Sequence, residues 1–222
     1  HPFFSMLRLR RQNAKAMLDY FEQLRLGQAR PYFQKAKSFC HARFAAADLT
    51  ELPTAAVCDL HDEGVDALLK GEACNDSGGA VSLLDVKTEL CRRYLAPCVL
   101  CPRLCSVDRN KGERGYCGLT AEARWFKEAL LWAEESPLVP SHEVFLTGCD
   151  FRCVYCYSWR EIDNVELGRP LHAAEFAEII ERRHAEGANN LNLLGGEPTV
   201  NLLGILQLLK EVLRFSSAVA DG

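Results

Sequence analysis

The sequence predicts an α/β fold in which two strands alternate with two helices. A short apolar run over residues 144–148 ends at a glycine, as a buried strand does where it leads into a loop. A second apolar run covers residues 189–194, and an amphipathic helix with apolar positions at Ala174, Phe176 and Ile180 separates the two. Strand, helix and strand at this spacing form a right-handed crossover. We therefore expect parallel strands covered by helices.

The chain divides into three segments by composition and pattern. Residues 1–90 form a helical N-terminal region, residues 91–122 are rich in cysteine, and residues 123–222 hold the α/β elements. In the last segment, residues 125–132 are ambiguous between helix and strand, because their apolar residues are too dense for a period to decide. Asn201 is expected to cap the final helix with its side chain.

The N-terminal region carries no site motif. Amphipathic patterns predict helices over residues 5–26, 31–47 and 81–94, and a further turn or two over residues 65–70. Docking of a partner and shielding of a metal site are both open roles for this region.

Composition limits the classes of function. The 222 residues are 48% hydrophobic, which indicates a globular protein, and the formal net charge of −4 gives no electrostatic case for binding nucleic acid or an anionic membrane. The longest apolar stretch, residues 202–213, is interrupted by polar side chains and does not predict a membrane span. Seven of the eleven cysteines fall in two closely spaced groups, as metal ligands do. Reduced thiols favour the cytoplasm.

The first group lies in the cysteine-rich segment, where turn-forming glycines can fold the chain around a small object. Tetrathiolate coordination suits structural zinc and a fully ligated iron–sulfur cluster alike, and disulfides are a third alternative that the cytoplasmic assignment disfavours. Basic residues in the segment, including Arg109, are expected to form a solvated loop that balances the thiolates. The candidate ligands are Cys98, Cys101, Cys105 and Cys117.

The second group is a CxxxCxxC motif directly after the first predicted strand. Its ligands are Cys149, Cys153 and Cys156, and three thiolates this close together can hold three irons of one iron–sulfur cube. The fourth iron is then open to bind a substrate or cofactor. A zinc site with a ligand from elsewhere, or thiols that bind nothing, are the alternatives. The two groups are expected to be independent sites.

A Gly-Gly-Glu-Pro sequence follows the second predicted strand. Glycines let the backbone approach a ligand closely, and an adjacent carboxylate can pair with an ammonium group. A simple turn after a strand is the alternative. The residues are Gly195, Gly196, Glu197 and Pro198.

Together these motifs resemble the radical S-adenosylmethionine (SAM) superfamily, and in particular the relatives of pyruvate formate-lyase-activating enzyme that have an extra N-terminal cysteine cluster. The segments CxLCPRxC, DRxxGExGxCG and CxxxCxxC carry the resemblance from about residue 98 onward. It implies that Tyr155 lies near the adenine of SAM and that the Gly-Gly-Glu-Pro residues bind its methionyl amine. Many members have threonine–proline–threonine–histidine at that place, and the first ninety residues exceed the expected leader.

The resemblance also implies the beginning of a (β/α) barrel, of which this chain supplies about two of six units, so we expect a truncated barrel. The implied function is reductive cleavage of SAM to a deoxyadenosyl radical for hydrogen abstraction, with activation of a glycyl-radical enzyme as one candidate. The implied cofactors are a 4Fe–4S cluster, SAM and either a second cluster or zinc, and the implied partners are flavodoxin or ferredoxin and a protein substrate. The alternatives are radical modification of another peptide or small molecule, and a non-catalytic zinc or iron–sulfur scaffold.

Overall fold

A computed structural model describes residues 48–70, 81–133 and 138–212. The helices expected over residues 5–26 and 31–47 lie outside these ranges. Among the described residues, no helix is both long enough and apolar enough to cross a membrane.

The sheet has four strands in the order β3-β1-β2-β4. The edge strand β4 is parallel to β2, and the helix Ala173–Ala185 connects the two, as the sequence predicts. The other two pairs, β1 with β2 and β1 with β3, are antiparallel. The expectation of parallel strands is therefore right only for β2 and β4, and the sheet is mixed. The strands are β1 (Arg124–Leu131), β2 (Ser141–Leu146), β3 (Arg169–Pro170) and β4 (Asn190–Gly195).

The segment that was ambiguous between helix and strand is β1. It runs antiparallel to β2, from Trp125 opposite Leu146 to Leu131 opposite Ser141, with an irregular register between Trp125 and Lys127. Pairing with a neighbour decides its conformation, because the backbone groups of an apolar segment need hydrogen-bond partners when it is buried.

Five α-helices are described. The first is longer than the sequence predicts, because it extends over the whole of residues 54–69, whereas the second matches the predicted helix closely. Short 3₁₀ helices occupy Arg109–Lys111, Val165–Leu167 and Pro198–Asn201. The α-helices are α1 (Thr54–Leu69), α2 (Leu83–Arg93), α3 (Trp159–Asp163), α4 (Ala173–Ala185) and α5 (Leu202–Glu211).

The main core lies between the sheet and the helices α4 and α5. Trp125 of β1 packs edge-on against Phe176 of α4, with ring centroids 4.9 Å apart, and both side chains are buried. Val144 and Leu146 of β2 are fully buried in the same cluster, beside Ile180. The inward-facing residues of β2 thus alternate along the strand, as expected when one face of a sheet is covered. This core holds the end of β2 in place, and the CxxxCxxC loop begins there.

A second layer joins α2 to α5. Ser82 and Asp85 form a reciprocal capping box at the start of α2. Leu84 of α2 packs with Leu203 and Leu206 of α5 in a buried cluster. The boundary predicted between residues 90 and 91 falls inside α2, and the division into three segments stays a prediction.

Candidate functional site

The CxxxCxxC loop begins where β2 ends, at a tightly packed glycine. Gly148 has φ +73°, and a Cβ added there would lie 2.5 Å from Cδ1 of Leu119. Only glycine satisfies both the backbone conformation and the space. The chain then turns outward, with Cys149 buried at its base.

The three cysteines of the loop differ in exposure. Cys149 is 7% exposed and its Sγ accepts a hydrogen bond from the Phe151 amide at 3.4 Å. Cys156 is half-buried and its amide donates to the Cys153 carbonyl at 3.0 Å, whereas Cys153 is exposed. An amide that donates to sulfur stabilises a thiolate, so this base of the loop fits an anionic sulfur ligand.

Large apolar side chains surround the loop and face solvent. Tyr155 is 86% exposed, so its ring is free to contact a ligand beside the three cysteines. Residues this apolar are seldom exposed as a contiguous group unless something binds there. The exposed group consists of Phe151, Val154, Tyr155, Tyr157 and Trp159.

The Gly-Gly-Glu-Pro turn lies directly against the start of the CxxxCxxC loop. The Gly196 amide donates to the Leu146 carbonyl at 2.7 Å, and the Glu197 amide donates to the Gly148 carbonyl at 3.0 Å. A Cβ on Gly195 would lie 2.8 Å from the Leu146 carbonyl oxygen, and one on Gly196 only 2.1 Å from that of Gly148. Glycine is required at both positions because two backbone segments lie this close together. The sequence analysis had instead attributed the two glycines to the close approach of a ligand.

Glu197 has one engaged and one open carboxylate oxygen. Its Oε1 accepts from the Thr199 amide at 3.1 Å and from the Thr199 hydroxyl at 2.8 Å, which caps the 3₁₀ helix Pro198–Asn201. Within the described ranges, Oε2 has no hydrogen-bond partner. The second oxygen is therefore open to a donor, and the pairing of Glu197 with an ammonium group stays a prediction.

Asn201 does not cap α5 with its side chain, so that expectation is wrong. The side chain is 2% exposed and its Nδ2 donates to the Thr147 carbonyl at 2.9 Å and to the Glu197 carbonyl at 3.3 Å. These two hydrogen bonds connect the turn to the end of β2. They also satisfy the buried side-chain amide, which would cost free energy if it had no partners. No sequence pattern distinguishes this role from a helix cap.

The four candidate ligands of the cysteine-rich segment differ in burial. Cys98 and Cys117 are buried, and Cys101 and Cys105 are half-buried. The Tyr116 amide donates to Sγ of Cys105 at 3.3 Å. A Cβ on Gly115 would lie 2.9 Å from Sγ of Cys105, so the chain passes close over this sulfur.

Burial raises the pKa of two of these thiols, those of Cys101 and Cys117. Burial raises the pKa of Cys101, and the charges of Asp150, Cys117 and Cys105 raise it further. Burial also raises the pKa of Cys117, against a lowering effect of the Arg109 guanidinium. A bound metal supplies the positive charge that deprotonates such thiols.

The expectation of a solvated basic loop holds for Arg103, Lys111 and Arg114, which are exposed, and is wrong for Arg109. Its side chain is 2% exposed, and its Nη1 lies 3.9 Å from Sγ of Cys98. The guanidinium also donates to the Thr120 carbonyl at 2.7 and 2.9 Å and to the Val200 carbonyl at 2.9 Å.

The two cysteine groups are in contact through an arginine–tyrosine stack. The guanidinium groups of two arginines lie over the Tyr116 ring, with Cζ of Arg103 4.0 Å and Cζ of Arg152 5.0 Å from its centroid. Arg103 donates to the Asp150 carbonyl at 2.9 and 3.1 Å, and Arg152 donates to the Tyr116 carbonyl at 3.1 Å. The two segments therefore touch, while the independence of the two sites stays a prediction.

All nine cysteines in the described ranges are free thiols. In the same part of the chain, no three or more His, Cys, Asp or Glu side chains are grouped so that they could hold a metal ion.

Comparison with known proteins adds a family match in this region. Residues 141–218 match a family model described as a 4Fe-4S single cluster domain. The match supports an iron–sulfur protein. It begins at the first residue of β2 and includes the CxxxCxxC loop and the turn at residues 195–198, whereas the cysteine-rich segment lies outside it.

The chain is also similar to the uncharacterized protein MJ0674 of Methanocaldococcus jannaschii, with 37% identity over 135 residues. The alignment covers 58% of this chain and 39% of the relative, so the chain spans well under half of that protein's length. No solved structure matches the chain.

Proposed function

We propose that the protein is a radical SAM iron–sulfur enzyme related to activating enzymes. The CxxxCxxC cysteines would hold a 4Fe–4S cluster with one iron left without a protein ligand. Such a cluster, when reduced, would supply the electron for reductive cleavage of bound SAM to methionine and a deoxyadenosyl radical. The residues of this chain bind and orient the reactants.

The observation that carries the proposal is the position of the Gly-Gly-Glu-Pro turn. Two backbone hydrogen bonds hold the turn against the residues that lead into the CxxxCxxC loop. The open Oε2 of Glu197 is the proposed partner for the methionyl ammonium of SAM. The exposed ring of Tyr155 lies in the loop itself and is the proposed contact for adenine.

The proposed radical abstracts hydrogen from a substrate, for which a glycine backbone of a protein partner is the first candidate and another peptide or small molecule the second. Flavodoxin or ferredoxin is the proposed electron donor. The cytoplasm is the proposed compartment, because the described cysteines form no disulfides. The proposed barrel begins with the parallel β2–α4–β4 unit.

The cysteine-rich segment is proposed to hold a second metal centre. Two of its thiols accept an N–H or guanidinium donor, and all four lie partly or fully out of solvent. The donor set is that of a closed tetrathiolate centre with no open position. A second iron–sulfur cluster and zinc are both candidates for this centre. The proposed ligands are Cys98, Cys101, Cys105 and Cys117.

Binding of radiolabelled SAM to the anaerobically reconstituted full chain tests the proposal. We expect about one SAM per chain in the wild type and none in Cys153→Ser, because loss of one ligand removes the cluster with the open iron. Cys58→Ser, at a half-buried thiol outside both groups, is the matched control and should bind as the wild type does. A wild-type protein that contains zinc and binds no SAM would instead support a non-catalytic scaffold.

A further inference from the structure

The helices α1 and α2 carry three ionisable side chains that form a continuous chain of hydrogen bonds. Nζ of Lys87 in α2 lies 2.9 Å from Nε2 of His61 in α1. Nδ1 of the same imidazole lies 2.8 Å from Oδ1 of Asp62. The order is therefore amine, imidazole and carboxylate, and none of the three residues has a part in the proposed function.

The contact with Lys87 determines where the proton of His61 lies. An ammonium group has only hydrogen-bond donors, so Nε2 of His61 accepts from Nζ of Lys87. The proton of the neutral imidazole is then on Nδ1, which donates it to the Asp62 carboxylate. The lone pair of Nε2 is thus directed at the amine. The carboxylate is placed to stabilise the imidazolium that forms when Nε2 takes a proton.

The surroundings of Lys87 favour its neutral, nucleophilic form. Burial lowers the pKa of Lys87, against the charge of Asp62, which raises it. Only the neutral amine has a lone pair with which to attack an electrophile. The side chain of Lys87 is half-buried, whereas those of His61 and Asp62 are 28% and 82% exposed, so the group opens to solvent on the side of the carboxylate.

A nucleophile in hydrogen-bond contact with a base, which a third group orients, is the arrangement that acyl transfer uses. We propose that Lys87 is a modification site that accepts an acyl group from an activated donor, an acyl phosphate or an acyl thioester. His61 is the base, and Asp62 is a positioning residue that holds the imidazole. The inference does not rest on the proposed function.

The acyl transfer needs no oxidant or reductant. The ammonium of Lys87 passes one proton to Nε2 of His61, and the neutral amine then attacks the carbonyl carbon of the donor. An amide C–N bond forms, and the C–O bond to phosphate or the C–S bond to the thiol breaks. The leaving group takes the second proton, the third stays on the amide nitrogen, and His61 returns its proton to solvent. Lys87 thereby loses its positive charge.

The test measures acetylation of the full chain by mass spectrometry, with acetyl phosphate in one arm and acetyl-coenzyme A in the other. Lys70 is the internal control, because it directly follows α1 and is exposed. We expect Lys87 to react about a hundredfold faster than Lys70 with at least one donor, which is the lower end of what a positioned base contributes. The donor that reacts faster identifies the source of the acyl group.

Variants of the other two residues separate catalysis from packing. His61→Gln keeps a polar side chain of similar size that takes no proton, so it should reduce the rate at Lys87 to that at Lys70. Asp62→Asn should lower the rate at Lys87 about tenfold, and Asp62→Glu, which restores the carboxylate, should recover most of it. Lys70 should react equally fast in all three variants. A packing role alone would not follow the charge at position 62.

Equal rates at Lys87 and Lys70 in the wild type, with both donors, would overturn the inference, and this comparison requires no variant to fold. Acetylation of Cys58 in place of Lys87 would also overturn it. The Cys58 thiol is the competing nucleophile, because it lies on α1 and is 3.3 Å from the Tyr94 hydroxyl at the end of α2. A rate at Lys87 that is unchanged in His61→Gln would show that the imidazole is not the base, which contradicts the proposed site.

Discussion

Gly196 is the residue at which a single added carbon should disturb the site most. Its φ is not positive, so the cost of alanine comes from the contact of 2.1 Å between the new Cβ and the Gly148 carbonyl oxygen. We expect Gly196→Ala to lower the free energy of unfolding by about 1–3 kcal/mol, as overpacking does, and to weaken SAM binding. Urea unfolding and SAM binding measure the two effects.

Gly187→Ala is the control for Gly196→Ala. Gly187 has φ +101° and no atom within 4 Å of an added Cβ, so alanine there meets strain but no clash. We expect a cost of about 1 kcal/mol and unchanged SAM binding. If Gly196→Ala binds SAM as tightly as Gly187→Ala does, the turn does not depend on its close approach to the loop.

Cys153 should be indispensable for one cluster, although it is exposed. Cys153→Ser is expected to lower the iron content by about four atoms per chain, because the cube cannot be held by two cysteines. Iron and sulfide analysis after anaerobic reconstitution measures the loss. An iron content equal to that of Cys58→Ser would show that the exposed thiol is not a ligand.

The sequence identifies candidate ligands, whereas it does not identify the residues that hold the surrounding segments in place. Cysteine spacing and the Gly-Gly-Glu-Pro sequence identify candidate ligands because metal and ligand binding limit residue type and local spacing. Arg109 and Asn201 act on carbonyls far along the chain, at Val200 and Thr147. Such contacts depend on tertiary packing, and the residue types alone predict a surface charge and a helix cap.

At the scale of elements, a buried ionic group joins β1, β2 and α4. Arg183 of α4 donates to both carboxylate oxygens of Glu128 in β1, at 2.7 and 2.8 Å, and His142 of β2 lies 3.1 Å from the same carboxylate. Hydrogen bonds from Arg183 lower the pKa of Glu128, and burial lowers the pKa of His142.

This group predicts that stability falls in acid. Both pKa values are lower in the folded protein than their ordinary values of about 4.3 and 6.5, so the unfolded chain binds more protons as the pH falls below about 6.5. Their stabilising contribution is therefore complete above that pH and is lost as the pH falls through the folded pKa values. Urea unfolding between pH 7 and pH 4 should show the decline.

Glu128→Gln isolates the carboxylate from any acid damage to a cluster. We expect it to lower the free energy of unfolding by about 1–3 kcal/mol at pH 7, because the hydrogen bonds to Arg183 lose their charge assistance. The difference from the wild type should shrink as the pH falls and Glu128 becomes protonated. A difference that stays constant from pH 7 to pH 4 would contradict this account of the ion pair.

Phe176 should carry much of the packing of α4 on the sheet. It is 1% exposed and meets the Trp125 ring edge-on, so Phe176→Ala is expected to cost about 3–5 kcal/mol in free energy of unfolding. Leu167→Ala, at a side chain that is 55% exposed, should change stability by about 0.5 kcal/mol or less. Equal effects in urea unfolding would show that this contact contributes little.

The elements with a clear period were predictable, and those with a dense apolar pattern were not. The helices α2 and α4 lie where amphipathic spacing predicts them, because their buried positions repeat every three to four residues. For β1 the sequence left helix and strand open, and antiparallel pairing with β2 decides the outcome. Pairing is a long-range property, and local propensity carries little of it.

At the scale of the whole molecule, the cysteine-rich segment contacts both the CxxxCxxC loop and the segment that follows the Gly-Gly-Glu-Pro turn. The cysteine-rich segment contacts the loop through the Tyr116 stack and the turn through Arg109. The sequence shows two motifs some thirty residues apart and gives no sign that they touch. This contact gives a physical route for one proposed metal centre to influence ligand binding at the other. Two sites that did not touch would have no such direct route.

The most direct test of the account is the electron paramagnetic resonance spectrum of the reduced, reconstituted chain before and after addition of SAM. We expect the signal of the cluster at Cys149, Cys153 and Cys156 to change when SAM binds its open iron, and Cys153→Ser to lack both that signal and the change. A reduced cluster at these cysteines whose spectrum is the same with and without SAM would contradict the central claim.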